Sequence, residues 1–447
     1  MHRLVPDFIL QQYGSGKRSG NFPATTLFVD VSGFSAITDM LIESGSQHGA
    51  EVLAGVMRAV FDPLVTAVYD RGGFIVGFAG DAFMAVFPRD ESGSRNNENV
   101  AAPDDFHHSS LHALAAAWAI QQHMAASADH DTPYGRFTLS TKVGMALGEV
   151  AWGIVTSASG NRASYYFQGT AVDRCAAAEH LAQAGEVVAH AEVHAALADR
   201  MAAEAVGDYY RITSITGVLP SPRPVSWGAP DPALVAAFFP ETVTRTARTG
   251  EFRQVVNLFI GLPTVRTAAQ VDIFMQIVFA LQDRYGGLLN RLDFGDKGAH
   301  LLLFWGAPVA FENDVQRALN FVLDLQTQTA IPIKAGMTYR RAHAGHIGSP
   351  RHEEYTCYGR GVNLAARFMM AAPRGEIWVD EYVARRASGQ FNLDFEGKMA
   401  FKGFARQQKV YVLFERREQA ETYYEGELVG REAELQALTE FVQPIFD

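Results

Sequence analysis

Phe28-Val29-Asp30-Val31-Ser32-Gly33-Phe34, followed by Gly72-Gly73-Phe74-Ile75-Val76-Gly77-Phe78-Ala79-Gly80-Asp81, decides the fold, because the chain repeats the pattern. In the second half Val256-Asn257-Leu258-Phe259 precedes Gly286-Gly287-Leu288-Leu289-Asn290-Arg291-Leu292-Asp293-Phe294-Gly295-Asp296. A further pair of echoes is Phe167-Gln168-Gly169-Thr170-Ala171-Val172-Asp173 and Tyr358-Gly359-Arg360-Gly361-Val362-Asn363-Leu364-Ala365-Ala366-Arg367. Carboxylates mark the first copy, and an Asn/Arg pair marks the second. Complementary losses in two copies point to one composite site where the copies meet.

Outward from these motifs, each copy reads as a strand, a long helical region, a hairpin, a helix, a further hairpin, and a short strand with its helix. Ala24 to Asp30 is a short β-rich run, and Phe34 to Tyr69 carries apolar residues at helical spacing. Phe74 to Phe78 and Phe83 to Phe87 flank Ala79-Gly80-Asp81, which places Asp81 at a hairpin tip. Leu111 to His123 reads as a helix; Phe137 to Gly144 and Val150 to Val155 read as strands. Five prolines between Val218 and Pro232 read as a linker between the copies. The copy spacing is uneven, 257 − 30 = 227 against 359 − 169 = 190, so this is a divergent duplication rather than a solenoid. Strands with helices set on one side predict an α+β fold rather than a doubly wound one.

At 447 residues the chain exceeds one ordinary core, and two domains are expected. Net charge of −11 and no basic stripe argue against nucleic-acid binding, which needs Lys and Arg against phosphate. Cys175 and Cys357 make no disulfide framework and read as reduced thiols of a cytoplasmic protein. The most apolar run noted, Val271 to Leu281, is interrupted by Asp272 and Gln276, so no membrane span is expected.

Asp30 ends a buried strand and is followed by Val31-Ser32-Gly33-Phe34 at a helix start, where backbone amides and the helix dipole attract phosphate. Phosphate beside a carboxylate requires a cation between them, and Asp81 offers a second oxygen for it. Hard divalent ions are held this way, by one or two carboxylates plus substrate phosphates. Taken singly, Asp30 equally suits a helix cap and Asp81 an ordinary turn. Asn363 and Arg367 lie four apart and share a helix face. A guanidinium set among Ala365, Ala366 and Phe368 suits a phosphate partner. The first copy has Asp173 and Ala177 at those places, and the second aligns Asn257 with Asp30 and Asp296 with Asp81.

Phe-Val-Asp-Val-Ser-Gly-Phe, Gly-Phe-Ala-Gly-Asp and Gly-Val-Asn-Leu-Ala-Ala-Arg resemble the signatures of class III nucleotidyl cyclases. The asymmetric tandem is similar to the soluble adenylyl cyclase branch, over residues 22–205 and 250–415. The resemblance implies two homologous ferredoxin-like domains forming an intramolecular pseudo-heterodimer. It divides the chain into a metal-binding half (20–205), a linker (206–249), a second half (250–416) and a C-terminal segment (417–447). It implies conversion of ATP to 3′,5′-cyclic AMP and pyrophosphate. Asp30, Asp81 and the Val31 carbonyl would bind two Mg²⁺ ions, with Mn²⁺ as substitute. The turn Ser32, Gly33 and Phe34 would meet the phosphates, as would Lys142, which also suits a solvated strand edge. Asn363 would orient the ribose, and Arg367 would stabilise charge on the α-phosphate. Arg291 and Thr356 would meet the base, with Arg standing where that branch has Lys.

Other readings remain open: a pseudo-cyclase that senses a nucleotide or small molecule, or a cyclase for GTP or a pyrimidine nucleotide. That branch binds bicarbonate with a Lys and an Arg, and here Gly77 and Ala176 replace them, so bicarbonate stimulation is expected to be weak or absent. Arg174 lies nearby but on a different helix face. Expected partners are ATP, no nucleic acid and no membrane, in a monomer carrying both halves. Val429-Gly430-Arg431-Glu432 resembles the lead-in to an NTPase domain, so the chain reads as part of a longer protein; an ordinary capping helix is the plainer alternative.

Overall fold

The computed structural model describes residues 3–44, 47–89, 106–224, 228–246, 249–294, 298–387, 389–417 and 432–446. A short helix α1 (Asp7–Gly14) leads into β1 (Ser19–Ser32), then α2 (Phe34–Ser44), α3 (Gln47–Tyr69), β2 (Phe74–Ala79), β3 (Ala82–Pro88) and α4 (His107–Ala126). The hairpin β4 (Asp129–Thr132) and β5 (Gly135–Thr138) precedes β6 (Ser140–Thr156), β7 (Ala163–Gln168) and α5 (Thr170–Leu181). The first half closes with β8 (Val187–His190), α6 (Ala191–Leu197), β9 (Met201–Val206) and β10 (Tyr209–Ile215). Two short helices, α7 (Pro232–Phe238) and α8 (Glu241–Thr244), lead to the second half.

That half repeats the plan: β11 (Glu251–Gly261), α9 (Ala268–Tyr285), β12 (Leu288–Asp293), β13 (His300–Trp305) and α10 (Asp314–Gln328). It continues with β14 (Lys334–Ser349), β15 (His352–Tyr358), α11 (Arg360–Ala371), β16 (Ile377–Asp380), α12 (Glu381–Ala387), β17 (Phe391–Met399) and β18 (Gln408–Arg416). A helix α13 (Glu432–Phe446) ends the described chain.

The two sheets have the same order. The first runs β2-β3-β1-β6-β8-β10-β9 with β7 on β6; the second runs β12-β13-β11-β14-β16-β18-β17 with β15 on β14. The fold is therefore mixed α+β in two similar units. Leu27, Val29 and Val31 alternate inward from β1 and bury with Leu53, Met57, Val60, Phe61 and Leu64, the stripe that α3 presents at three- and four-residue spacing. The Gly-Gly echo has a packing cause. A Cβ at Gly73 would come within 2.6 Å of the Phe87 ring, and one at Gly287 within 2.6 Å of Trp305.

Three expectations meet the structure differently. The stretch read as two strands, 137–144 and 150–155, is mostly one long β6, because its first part pairs with β1 and its last part also pairs with β7. Tyr209–Ile215, placed between the copies, continues the first sheet by pairing with β8 and β9. The helix His48–Tyr69 is, by length and composition, apolar enough to cross a membrane, and here its apolar side packs in the first core. Val429, Gly430 and Arg431 lie outside the described residues.

The two units share an apolar seam. Val76, Met84 and Val86 of the first cluster with Val255, Phe304, Tyr355 and Val362 of the second. Across this seam β15 and α11 come to rest beside the β2–β3 tip.

Candidate active site

Asp30 lies near the exit of β1, opposite Ala82 of β3 on one side and Lys142 of β6 on the other. Asp81 directly precedes Ala82, at a tip where Gly80 takes φ of 76°. The Val31 amide donates to the Asp81 carbonyl at 3.0 Å, so the two carboxylates stand on adjoining segments. Both side chains are half-buried.

The chain then turns at Gly33, φ 107°, into α2. A Cβ there would come within 2.8 Å of both Leu139 Cδ2 and the Thr138 carbonyl oxygen, so glycine is needed for space as well as conformation. This turn sets the Ser32, Gly33 and Phe34 amides at the positive end of α2. The Phe34 ring is buried and stacked on Phe61 at 5.7 Å. The Ser32 hydroxyl donates to Asp30 at 3.4 Å.

Lys142 is not on a strand edge, because β6 lies between β1 and β8. Its ammonium stands 3.9 Å from Asp30 Oδ2 and 3.5 Å from Glu179 Oε1. Glu179, on α5, is buried, and that burial, reinforced by the Asp30 charge, pushes its carboxyl above the usual range while Lys142 pulls it down. Glu179 is a site residue that the motifs do not mark. Its only signal was a carboxylate on the stripe Val172, Cys175, Ala176, which α5 buries.

Asn363 and Arg367 project from α11. Asn363 is exposed and lines one cleft with Asp81, together with Phe34, Asp39, Tyr358 and Arg360. The cleft is tied across the domains: the Tyr358 hydroxyl donates to the Gly80 carbonyl, and Arg360 pairs with Asp39. Half-buried Arg367 lies one helical turn past Asn363, beyond the residues lining this cleft, and makes no ion pair or hydrogen bond among the described residues. The structure thus brings Asp81 and Asn363 to one place, with Asp30 beside the first and Arg367 beyond the second.

Thr356 and Arg291 are placed elsewhere. Buried Thr356 donates to Asn290 Oδ1 at 3.3 Å, and the Asn290 amide donates to the Tyr355 carbonyl at 2.8 Å. Arg291 lines a larger cavity of about 360 Å³ between the domains, with Gly77, Ala176, Tyr165, Phe279 and Glu354.

The strand registers overturn one alignment. A Cβ at Gly144 would strike the Cys175 carbonyl and Glu179 amide, and one at Gly336 would strike the Ala365 carbonyl and Met369 amide, so these glycines are counterparts. Lys334 therefore matches Lys142, and Gly261, opposite Lys334, matches Asp30. Asn257 lies opposite Thr338 and matches Thr26, not Asp30; its amide donates to Thr338 at 3.2 Å in a fully buried position. The Leu262 amide donates to the Ala299 carbonyl at 2.8 Å, repeating the Val31–Asp81 bond, so Ala299 stands in the place of Asp81. Asp296 lies outside the described residues. The second copy has neither carboxylate, and the first has Asp173 and Ala177 in place of Asn363 and Arg367.

The donor set fits a hard divalent ion. Among the described residues no three His, Cys, Asp or Glu side chains gather as a ligand cluster. Two carboxylates and a carbonyl are the sparse oxygen set that suits Mg²⁺, which keeps water and phosphate ligands of its own. The Lys142 ammonium beside Asp30 shows that this position attracts positive charge.

Residues 311–415 match the family model for the adenylate and guanylate cyclase catalytic domain. The chain is 23% identical over 425 residues to human adenylate cyclase type 10, covering 83% of this chain and 25% of that protein. It is 22% identical over 430 residues to the rat protein of the same name, with the same coverage. The chain thus spans about a quarter of the length of these curated relatives. Among solved structures, a class III adenylyl cyclase-like ATP-binding protein from Pseudomonas aeruginosa aligns with TM-score 0.54 and 11% identity, over 82% of this chain and 85% of that one. That likeness shows the fold.

Proposed function

We propose that this homologue of the class III nucleotidyl cyclases converts ATP to 3′,5′-cyclic AMP and pyrophosphate, at the cleft between its two domains. The observation that carries this reading is that Asp81 of the first domain and Asn363 of the second line the same cleft.

Asp30, Asp81 and the Val31 carbonyl would hold Mg²⁺, which supplies neutralisation of the substrate phosphates and a more acidic ribose 3′-hydroxyl. The Ser32–Phe34 amides at the start of α2 bind phosphate oxygens. Lys142, held between Asp30 and Glu179, would meet the terminal phosphates. Asn363 orients the ribose so that its 3′-oxygen lies in line with the α-phosphorus. Arg367 contributes bidentate charge to the α-phosphate oxygens as bonding passes from the bridging oxygen to the 3′-oxygen. Positioning and charge are most of what phosphoryl transfer asks of a protein.

A second reading has one observation in its favour. Arg291 lines the larger cavity and Thr356 is bonded to Asn290, so the two base-reading candidates do not share the cleft. On that reading the chain binds a nucleotide without cyclising it. Incubating the protein with each of the four NTPs, with Mg²⁺ and with Mn²⁺, and resolving products by chromatography separates the two. Cyclic AMP as the main product is the expected result; no cyclic nucleotide from any NTP leaves the binding module.

A further inference from the structure

Glu354 is a buried carboxylate that spans the two domains without belonging to the site described above. It sits in β15, 6% exposed, and its Oε2 accepts the Phe78 backbone amide at 2.9 Å. Phe78 lies three residues before Asp81, in the strand that carries the tip. Four residues further along β15, on the same strand face, the Tyr358 hydroxyl donates to the Gly80 carbonyl. His352, two residues before Glu354, stacks on the Phe78 ring at 5.9 Å and 9°. One strand of the second domain therefore grips the Phe78–Gly80 segment of the first at three points.

The hydrogen bonds of this grip run in one direction; in the reverse direction Tyr166 of β7 meets the Phe294 ring at 4.9 Å instead. Ile75, Gly77 and Phe78 match Leu289, Arg291 and Leu292, since both strands carry the same register shift. By the Gly169–Gly359 equivalence, the first-domain counterpart of Glu354 is Ser164, and that of Tyr358 is Gln168. Neither makes a side-chain hydrogen bond to β12 among the described residues.

We propose that Glu354 is a positioning residue: it holds the Asp81 segment at the spacing from Asp30 that metal binding needs, so that the second domain sets the metal affinity of the first. This rests on the reading of Asp30 and Asp81 as the metal-binding pair. Burial raises the Glu354 carboxyl above its usual range, whereas Arg291, the Phe78 amide and Asn290 oppose that shift. The acceptor oxygen, not the charge, is what the Phe78 amide requires, so a neutral amide can replace the acid. The Tyr358–Gly80 and His352–Phe78 contacts do not involve Glu354, so the interface is expected to stay assembled when Glu354 is changed.

The test compares Glu354→Ala and Glu354→Gln in the full chain, by two measurements that need no turnover. Hydrogen exchange of the segment around Phe78 should rise about tenfold in the Ala variant and stay near the parent rate in the Gln variant, as expected for loss and retention of one buried hydrogen bond. Mn²⁺ affinity, read by electron paramagnetic resonance with a non-reactive ATP analogue present, should fall about tenfold in the Ala variant and recover to within about threefold in the Gln variant. An Ala variant with the parent's exchange and Mn²⁺ affinity would overturn the proposal, as would a Gln variant as weak as Ala. If the parent chain binds no Mn²⁺, the reading of Asp30 and Asp81 fails instead, while the exchange result still reports on the grip.

Discussion

At the exit of β1 the first domain gathers Asp30, Lys142 and Glu179, and at the matching exit of β11 the second has Gly261, Lys334 and Met369. The backbone pairing is the same; the chemistry is not. Around Asp30 three charged groups lie within 4 Å of a neighbour, Lys142 bridging two carboxylates. In the second domain a Cβ on Gly261 would come within 2.7 Å of Met369 Sδ, and Lys334 turns away to donate to the Met370 carbonyl at 2.8 Å. Burial, with help from Arg374, lowers the Lys334 ammonium below its usual range, as expected where no carboxylate replaces Asp30. The lost carboxylate has been filled by packing, so restoring it would require repacking α11. The difference teaches that the pseudo-symmetry is structural, while the chemistry has one orientation.

The comparison predicts unequal answers to equivalent substitutions. Asp30→Ala should bring cyclic-nucleotide production down by more than about a thousandfold, the several kcal/mol expected of a lost metal ligand. Ala299→Asp, at the second-domain place of Asp81, should leave the rate within about twofold, because Gly261 offers no companion ligand. A rate gain there would break the comparison. Arg367→Ala should reduce kcat by roughly 100- to 1000-fold, as for one donor to a developing charge. Its first-domain counterpart Ala177→Arg should change kcat little, and a near-normal Arg367→Ala rate would remove the assigned role.

Acid should weaken the second domain and its seam. Burial pushes His343 down to about 4 and His352 down to about 3, with Arg3 adding to the latter. Both are neutral when folded and take a proton when unfolded below about pH 6.5, so the stability they contribute is present above that pH. It is lost as pH falls from there toward their folded values, by ~2 kcal/mol per histidine between pH 6.5 and 5. Thermal unfolding at pH 7 and pH 5 should show the fall, and His352→Phe should remove about half of it. An unchanged midpoint in the parent would contradict the buried neutral state.

The smallest expected effect is bicarbonate. Gly77 and Ala176 line the larger cavity, and Glu354 Oε2 lies 3.8 Å from where a Gly77 Cβ would stand. An anion beside Gly77 would meet the Glu354 side chain as well as Arg291 and would find no cation at Gly77 or Ala176, while Arg174 is paired with Glu192 at 2.9 Å. Bicarbonate titration should leave the rate within about twofold; a large saturable rise would overturn the assignment.

Much of the fold was legible because the Gly-Gly echo, the Phe-Ala-Gly-Asp tip and the Gly-Val-Asn-Leu-Ala-Ala-Arg helix each carry local conformational rules. The tip indeed falls between Phe74–Ala79 and Ala82–Pro88. The misplaced counterpart of Asp30 has an equally physical cause. Asn257 and Gly261 are four residues apart on one strand, and an even slip leaves inward and outward faces unchanged. Matching Asp to Asn by chemistry favoured the wrong register, and only pairing with β13 and β14 decides it. Glu179 and Glu354 were illegible for another reason. Their partners lie 37 and 276 residues away, and beyond the apolar stripe around Glu179 nothing local marks these carboxylates for burial.

The seam between the two units also sets how the molecule responds to dilution. Both halves of the cleft belong to one chain, so each finds its partner at an effective concentration fixed by the connecting segment rather than by how many molecules are present. Turnover per molecule should hold constant to very low protein concentrations, where a cleft shared by separate chains would come apart. Two first halves, or two second halves, would lack either the amide-guanidinium pair or the acidic pair, so like-with-like assembly would be silent.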